Sequence, residues 1–540
     1  MSWRHRFGHS LLRLACGRAG RHFANHLERL QPVQEARLAS LLRQHVRGRD
    51  VADARAFRRR FPVTGYNDWA PAVNDWRHGG AALTRSPLVR FQPTSGSTSA
   101  IKWLPYTRRF LQELDGAIGP WLLDMYSQYP ALSRGSHYWS LSWLPSDMRD
   151  ANAGNLNDDS QLLSLGKRLL AGLTQSVPDQ VALAPTAELA SFATLAWLAA
   201  DRELAMVSVW SPTFALTQQE QMFQWRHLLA EVLEQGHWGQ YRASLAHIPC
   251  PRQPQQAALL RQWRVGDERA FFQRLWPRLC LVSAWDTGAA AGWAQMLQQR
   301  FNGAELQGKG LWATEGVVTF PWQQRHLLAY QSHVYEFENL DDGTVLWPWE
   351  LRADMQVAPI LSTGAGLMRY RLADCLRVDG HLGSVPALTF LGREDGVDLV
   401  GEKLSTVAAQ QLLDRVGATW PVRPVSLVAL DQSPGCRPPE FVLLLEQDGA
   451  VPEADGEQLA AEVDDWLAEH FHYRLARQLE QLAPLQVWLG PQMREYYLAQ
   501  SRARGMIEGN IKVEPLRHWP GKVQAPGQQG RPERRREAVT

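Results

Sequence analysis

The chain predicts an α/β fold, helices covering a sheet, in a large N-terminal part followed by a smaller α+β unit. Three observations carry this. Between about residues 185 and 300, helical runs (188–200, 218–234, 289–300) alternate with short apolar strands (204–210, 279–284), the pattern of a sheet with helices on its faces. From about 304 to 393 the texture changes to many short strands (305–312, 334–337, 356–361, 388–391). After about 395, helices (407–416, 457–470) and strands (425–430, 441–446, 485–489) mix in a compact stretch. At 540 residues the chain exceeds one ordinary core, so more than one domain is expected.

The elements before residue 185 follow from local pattern. Leu11, Leu12, Leu14, Phe23, Leu27 and Leu30 recur at helical spacing, as do Leu38, Leu41 and Leu42, which predicts two amphipathic N-terminal helices. Phe61-Pro-Val-Thr-Gly and Gly79-Gly80 mark a loop-rich approach. Leu88-Val-Arg-Phe reads as a strand, a small-residue loop follows, and a helix runs from about 108 to 125. The end of the chain from 519, Pro/Gly/Gln-rich and then arginine-rich, reads as a disordered tail. The expected domains are 1–394, 395–518 and the tail 519–540.

Composition narrows the class. Hydrophobic content of 45% with 21% charged residues is that of a soluble globular protein. Five dispersed cysteines (Cys16, Cys250, Cys280, Cys375, Cys436) without a CxxC pair fit reduced thiols in the cytoplasm rather than a disulfide framework or zinc site. No apolar run approaches the length of a membrane span, and the basic N-terminus lacks the apolar core of a secretory signal. Residues 1–60 hold 14 arginines against four acids (Glu28, Glu35, Asp50, Asp53). Such an arm could meet RNA or anionic lipid, but a basic helix more often docks on an acidic body, and no nucleic-acid motif is present. His470-Phe-His472 is not a metal site, because residues two apart on a helix point apart.

Chemistry is concentrated in a few segments. Only six of the 57 basic residues are lysine, and three of the six, Lys102, Lys403 and Lys512, sit in motif-like segments. Lysine is a compact point charge on a flexible stem, suited to one phosphate or carboxylate oxygen. The others, Lys167, Lys309 and Lys522, have no such setting. Thr94-Ser95-Gly96-Ser97-Thr98, ending at Lys102, follows a strand; its small residues permit backbone N–H groups and hydroxyls to wrap a phosphate. It lacks Walker spacing. Nor does a G-x-S-x-G elbow surround Ser95 or Ser97, as a hydrolase nucleophile would need. A plain Ser/Thr linker is the bland alternative. Ala313-Thr314-Glu315 ends an apolar strand with a carboxylate, a group that can hold Mg²⁺ beside phosphates. Val334-Tyr335-Glu-Phe, Arg369-Tyr-Arg-Leu-Ala-Asp374 and Gly392-Arg393-Glu394-Asp395 follow in that order.

On these motifs the sequence resembles the adenylate-forming superfamily, and within it the acyl-acid amido synthetases, the auxin-responsive Gretchen-Hagen family of plants and bacteria. The likeness spans about residues 60–515. It implies the adenylate-forming, luciferase-like fold: a large N-terminal α/β domain with a β-barrel-like portion, and a small mobile C-terminal domain. It also implies ATP and Mg²⁺. By the resemblance, the 94–98 loop grips the ATP phosphates together with Lys102, Thr314 and Arg393 also belong to the ATP site, Glu315 is the magnesium ligand, Tyr335 lies against adenine, and Asp374 holds the ribose hydroxyls. Gly392-Arg393-Glu394-Asp395 marks the interdomain hinge, Lys403 faces the nucleotide, and Lys512 is the late lysine that bridges ATP and carboxylate oxygens. The chain departs from the family at Ser97-Thr98-Ser99, Val334, Ala373 and after Lys512.

The expected activity is ATP-dependent adenylation of a carboxylic acid, followed by transfer of the acyl group to an amine, an amino acid by the resemblance. The rival within the superfamily transfers the acyl group to a thiol of CoA or a carrier protein. A rival of another class is a non-catalytic nucleotide-binding scaffold.

Overall fold

The structure is a computed structural model that describes residues 3–48, 51, 53–93, 102–140, 172–301, 303–394, 396–400, 402–432, 438–447, 453–504, 506, 511–523 and 525. The chain divides into two compact units, Met1–Leu391 with Met506–Lys512, and Gly392–Gly505 with Val513–Thr540.

The first unit opens with four helices, α1 (Trp3–Asn25), α2 (Leu30–Gln44), α3 (Ala54–Arg60) and α4 (Tyr66–Arg77). The predicted apolar stripe is right at Leu12, Phe23, Leu30, Leu38, Leu41 and Leu42, all buried, and wrong at Leu14, which is 75% exposed. Leu14 falls off the face that packs on the long helix α5 (Arg108–Gln128). Strands β1 (Leu88–Pro93) and β2 (Trp103–Thr107) form an antiparallel hairpin. The Thr94–Thr98 loop, which joins them, lies outside the described residues. Directly after β2, Thr107 caps α5: its Oγ accepts from the N–H of Phe110 at 3.2 Å.

The predicted α/β region contains a four-stranded parallel sheet, β3 (Ser136–Trp139), β4 (Leu204–Ser208), β5 (Leu281–Ala284) and β6 (Glu305–Gly308), in sequential order. Its connections carry helices α6 (Ala187–Ala200), α7 (Pro212–Gln224), α8 (Arg226–Gln235), α9 (Pro254–Gln262), α10 (Glu268–Leu275) and, between β5 and β6, α11 (Ala291–Arg300). The run read as one helix over 218–234 is two, with Trp225 at the junction.

The short-strand region begins with a two-stranded hairpin, β7 (Trp312–Ala313) and β8 (Gly316–Val317). An eight-stranded sheet follows. It comprises β9 (Thr319–Trp322), β10 (Arg325–Leu328), β11 (Val334–Asn339), β12 (Val345–Leu346), β13 (Gln356–Ser362), β14 (Tyr370–Arg371), β15 (Asp374–Leu382) and β16 (Val385–Arg393). The spatial order is β12-β11-β13-β15-β16-β10-β9, with β14 beside β13. One continuous apolar core joins α1, α5, the hairpin and this sheet through Phe23, Phe110, Val317, Phe320, Tyr330, Tyr335 and Leu361.

The second unit starts with the pair β17 (Gly396–Val397) and β18 (Leu404–Ser405). Helix α12 (Thr406–Thr419) leads to β19 (Arg423–Gln432) and β20 (Glu440–Glu446), then α13 (Glu453–Leu467) and α14 (Phe471–Gln478), β21 (Gln486–Gly490), α15 (Met493–Ala503) and β22 (Leu516–Lys522). The mixed sheet runs β21-β20-β19-β22. Here the expected tail needs correcting: β22 carries the ordered chain past 518, because pairing with β19 and the complete burial of Trp519 hold it.

Candidate active site

Thr314 and Glu315 form the two-residue loop between β7 and β8, with Ala313 paired to Gly316. Two-residue hairpin loops ordinarily rely on positive φ at their centre. Neither residue is among the described positive-φ positions, so the turn is not held by its own backbone preference. Side chains from elsewhere hold it instead. Tyr106, from β2, donates its hydroxyl to the Thr314 carbonyl at 3.0 Å, and Tyr370, from β14, donates to Glu315 Oε1 at a long 3.4 Å. Burial pushes the Tyr106 phenol up; the Arg90 guanidinium, 5.0 Å from the ring centroid, opposes this and the Glu315 charge reinforces it. Tyr106 therefore stays a donor at any working pH.

Glu315 remains partly exposed. Gly316 permits the turn to sit low, since a Cβ there would come within 2.8 Å of His333 Nε2. The chemistry is that of a hard oxygen ligand held on a short, braced turn. Among the described residues no group of three His, Cys, Asp or Glu side chains could cage a metal. One carboxylate is, however, the usual protein share when Mg²⁺ also binds nucleotide phosphates, so the residues present fit that ion.

The motif strands contribute differently. Tyr335 is completely buried, its hydroxyl proton shared between the carbonyls of Val317 (2.8 Å) and Ala329 (3.0 Å). The expectation that this ring lies against adenine is corrected: β11 is covered on both faces, so no face of Tyr335 reaches a ligand. Glu336 points the other way and is equally buried. Its carboxylate accepts from Arg369 Nε (2.7 Å) and a second Arg369 nitrogen (3.1 Å), and from Arg58 Nε (2.7 Å). Arg369, in the left-handed region at φ 51°, also donates to the Phe61 carbonyl at 2.9 Å. One register step on, Glu338 pairs with Arg371 at 2.8 Å. These motif charges knit β11 to β14 and the turn before it, and they carry the frame.

Asp374 is buried at the first position of β15. Lys102 Nζ sits 5.5 Å from the ring centroid of Tyr66, whose hydroxyl accepts from the N–H of Trp103. Lys512 belongs to the first unit, its Nζ 3.5 Å from the centroid of Trp285 at the end of β5. In the second unit, Lys403 is exposed at φ 48°, beside a Glu402 carboxylate that accepts from the N–H groups of Leu399 and Val400. Such a φ is costly for a non-glycine residue and is a mark of functional turns. Arg393 is partly buried and Glu394 exposed, while Asp395 lies outside the described residues.

Sequence reasoning missed Tyr106, His333 and Glu113. Tyr106 sits in a short strand with nothing in its motif to single it out, and the other two meet each other across 220 residues of sequence.

Comparison with known proteins identifies the family. The model of the GH3 family N-terminal domain matches residues 22–306, and that of the GH3 family central domain matches residues 326–393. The chain belongs to the GH3 family. A protein of Oryza sativa subsp. japonica named as an indole-3-acetic acid-amido synthetase, GH3.10, is 21% identical over 417 residues, covering 72% of this chain and 83% of that protein. A second from the same plant, GH3.9, is 26% identical over 140 residues, covering 24% of this chain and 32% of its own length. The solved structure of the GH3.15 acyl acid amido synthetase superposes with a TM-score of 0.74 at 16% identity, over 92% of each chain. Its complex with 2,4-DB gives 0.73 at the same identity, over 93% of this chain and 94% of that one. This GH3 protein is thus a ligase with the adenylate-forming fold. It uses ATP to adenylate an acyl acid and conjugates the acid to an amino acid. Among the described residues no helix is long and apolar enough to cross a membrane.

Proposed function

We propose that the braced Thr314–Glu315 turn is the magnesium-nucleotide site of this synthetase, and that Lys512 drives its first half-reaction. The single observation that carries the reading is the Glu315 carboxylate, partly exposed on a two-residue turn tied down by Tyr106 and Tyr370. Glu315 holds Mg²⁺, which when bound supplies positive charge beside the phosphates. The 94–98 loop with Lys102 takes the phosphates, and Asp374 takes the ribose hydroxyls.

A carboxylate oxygen attacks the α-phosphorus, the bond to pyrophosphate breaks, and an acyl-adenylate forms. Several negative oxygens meet in that step, so it needs fixed positive charge near the phosphorus. Lys512 provides it. The amine nitrogen then attacks the acyl carbonyl, AMP leaves with the bonding pair, and the nitrogen loses a proton to give the amide. A hinge at Arg393, Glu394 and Asp395 lets Lys403 and Lys512 serve different halves of the cycle.

A flat aromatic acid suits the residues around β6. Trp121, Trp139, Trp210 and Trp312 form a chain of indoles with centroids 6.0 to 6.4 Å apart, and Lys309 Nζ lies 5.1 and 5.0 Å from the Trp121 and Trp210 centroids. The acid named for one relative, indole-3-acetic acid, and the bound 2,4-DB of a structural neighbour support the same choice. The four described cysteines are free thiols, which supports a cytoplasmic setting. The test is acid-dependent pyrophosphate exchange across a mixed acid library, with products read by mass in the presence of amino acids or CoA. Amide products are expected; thioester products alone, or no exchange with any acid, would overturn the reading.

A further inference from the structure

Both backbone groups of Val317, two residues after Glu315, are gripped by side chains: His333, just before β11, and Tyr335, which the resemblance had set against adenine. Val317 N–H donates to His333 Nε2 at 3.2 Å, and the Val317 carbonyl accepts from the Tyr335 hydroxyl at 2.8 Å. Because a backbone N–H only donates, His333 Nε2 must carry its lone pair, and the ring proton sits on Nδ1. That proton goes to Glu113 Oε2 at 3.0 Å. Glu113, from α5, is itself buried and fully engaged. Oε2 accepts from the N–H of Gly364 at 2.8 Å, and Oε1 accepts from Arg109 Nε at 3.2 Å. Stacking of Phe110 on the imidazole, centroids 5.5 Å apart, fixes the ring plane.

The network closes on both sides. The N–H of Tyr335 donates to Gln34 Oε1 at 2.9 Å, while Gln34 Nε2 donates to the carbonyls of Tyr330 and His333. The Ser332 hydroxyl donates to the Glu113 carbonyl at 2.5 Å. Helix α5, strand β11 and the turn after β13 are thereby tied to the strand that carries Glu315. Gly316 and Gly364 are the two points of close approach: a Cβ would meet His333 Nε2 at 2.8 Å in one case and Arg109 Cγ at 2.5 Å in the other.

We propose that His333 and Tyr335 are positioning residues for the magnesium site: they clamp the Val317 peptide, and Glu113 sets the His333 tautomer that makes the clamp possible. The need for such a clamp follows from the turn itself, which lacks the positive-φ residues that would stabilise it locally. The proposal rests on the reading of Glu315 as the magnesium ligand. Outer partners of a metal ligand typically set affinity through orientation rather than contact.

The test compares Tyr335→Phe, His333→Leu and His333→Gln with wild type and Glu315→Gln in the full chain. Two readouts need no turnover: amide hydrogen exchange across residues 312–319, and Mn²⁺ binding followed by paramagnetic resonance in the presence of a non-hydrolysable ATP analogue. In Tyr335→Phe and His333→Leu, exchange over 312–319 should quicken by at least about tenfold, and Mn²⁺ affinity should fall by about ten- to a hundredfold. The KM for the acid should move less than about twofold. His333→Gln keeps an acceptor for Val317 and should recover part of both effects. Lower thermal stability with unchanged Mn²⁺ affinity and unchanged exchange at 312–319 would overturn the proposal. Wild-type Mn²⁺ affinity in Glu315→Gln would remove Glu315 as ligand, a separate failure. In that case slow exchange at 312–319 in Tyr335→Phe would still refute the clamp.

Discussion

The Thr314–Glu315 turn and the paired segments at Glu336 and Arg369 look alike in sequence: each is a short motif of polar residues beside an aromatic. In the fold they are opposites. Among the described residues Glu315 stays partly open to solvent and takes one long hydrogen bond, from Tyr370, whereas Glu336 is buried and receives three short bonds from two arginines. A carboxylate with lone pairs to spare can take a cation; one whose lone pairs are saturated by guanidinium cannot. Motif membership therefore says where the site is, and burial with hydrogen-bond saturation says which motif residues act in it.

Four perturbations would break or sharpen this contrast. The largest effect is expected at Lys512. Lys512→Ala should lower acid-dependent pyrophosphate exchange by about a thousandfold, while a preformed acyl-adenylate is still converted to amide at near the wild-type rate. Equal loss in both half-reactions would take Lys512 out of the adenylation step.

Next comes the frame. Arg369→Met leaves the buried Glu336 with Arg58 as its remaining partner, a change that should cost up to about 3 kcal/mol in stability. Denaturant unfolding should show it, and the double variant Glu336→Leu, Arg369→Met should regain much of the loss. A negligible effect of the single change would mean that the pair contributes nothing to the frame.

A smaller effect concerns acid. His45 is buried, with Nε2–H donating to the Gly366 carbonyl and Nδ1 accepting from the N–H of Arg47, both at 3.1 Å. Burial holds its imidazole down at about 4, against 6.5 for an ordinary histidine. The unfolded chain thus takes up a proton that the folded chain refuses. Stability is fully present above about pH 6.5 and declines as pH falls toward 4, by about 3 kcal/mol from this group. His45→Asn should be less stable at neutral pH and less acid-sensitive. An unchanged pH slope in that variant would assign the acid sensitivity elsewhere.

The smallest expected effect is at Lys102, partly exposed beside Tyr66. Lys102→Met should raise the KM for ATP by about three- to tenfold and leave thermal stability unchanged, in keeping with the modest value of an exposed charge. A change in stability with no change in KM would move Lys102 from site to frame.

Much of this was legible in sequence because it rests on local rules. Alternating helical and apolar runs announced a helix-covered sheet and two of its strands, β4 and β5. The helix expected from about 108 to 125 is α5. The order of short motifs carried the resemblance that implies adenylate chemistry, and with it the choice of Glu315.

Other features were beyond local rules. Leu14 matches the apolar period yet faces water, and β22 runs on through a stretch whose composition resembles a tail, because its hydrogen bonds go to β19, some ninety residues earlier. Tyr335 reads as a ligand-facing aromatic until both faces of β11 are seen to be covered. Amino-acid order by itself determined the α/β class and the two-part architecture, and it singled out Glu315 as the carboxylate we propose for magnesium. Only the tertiary structure decided which polar motif residues remain open to a ligand and which are sealed. Desolvation and hydrogen-bond saturation are set by neighbours hundreds of residues away, and no local pattern encodes them.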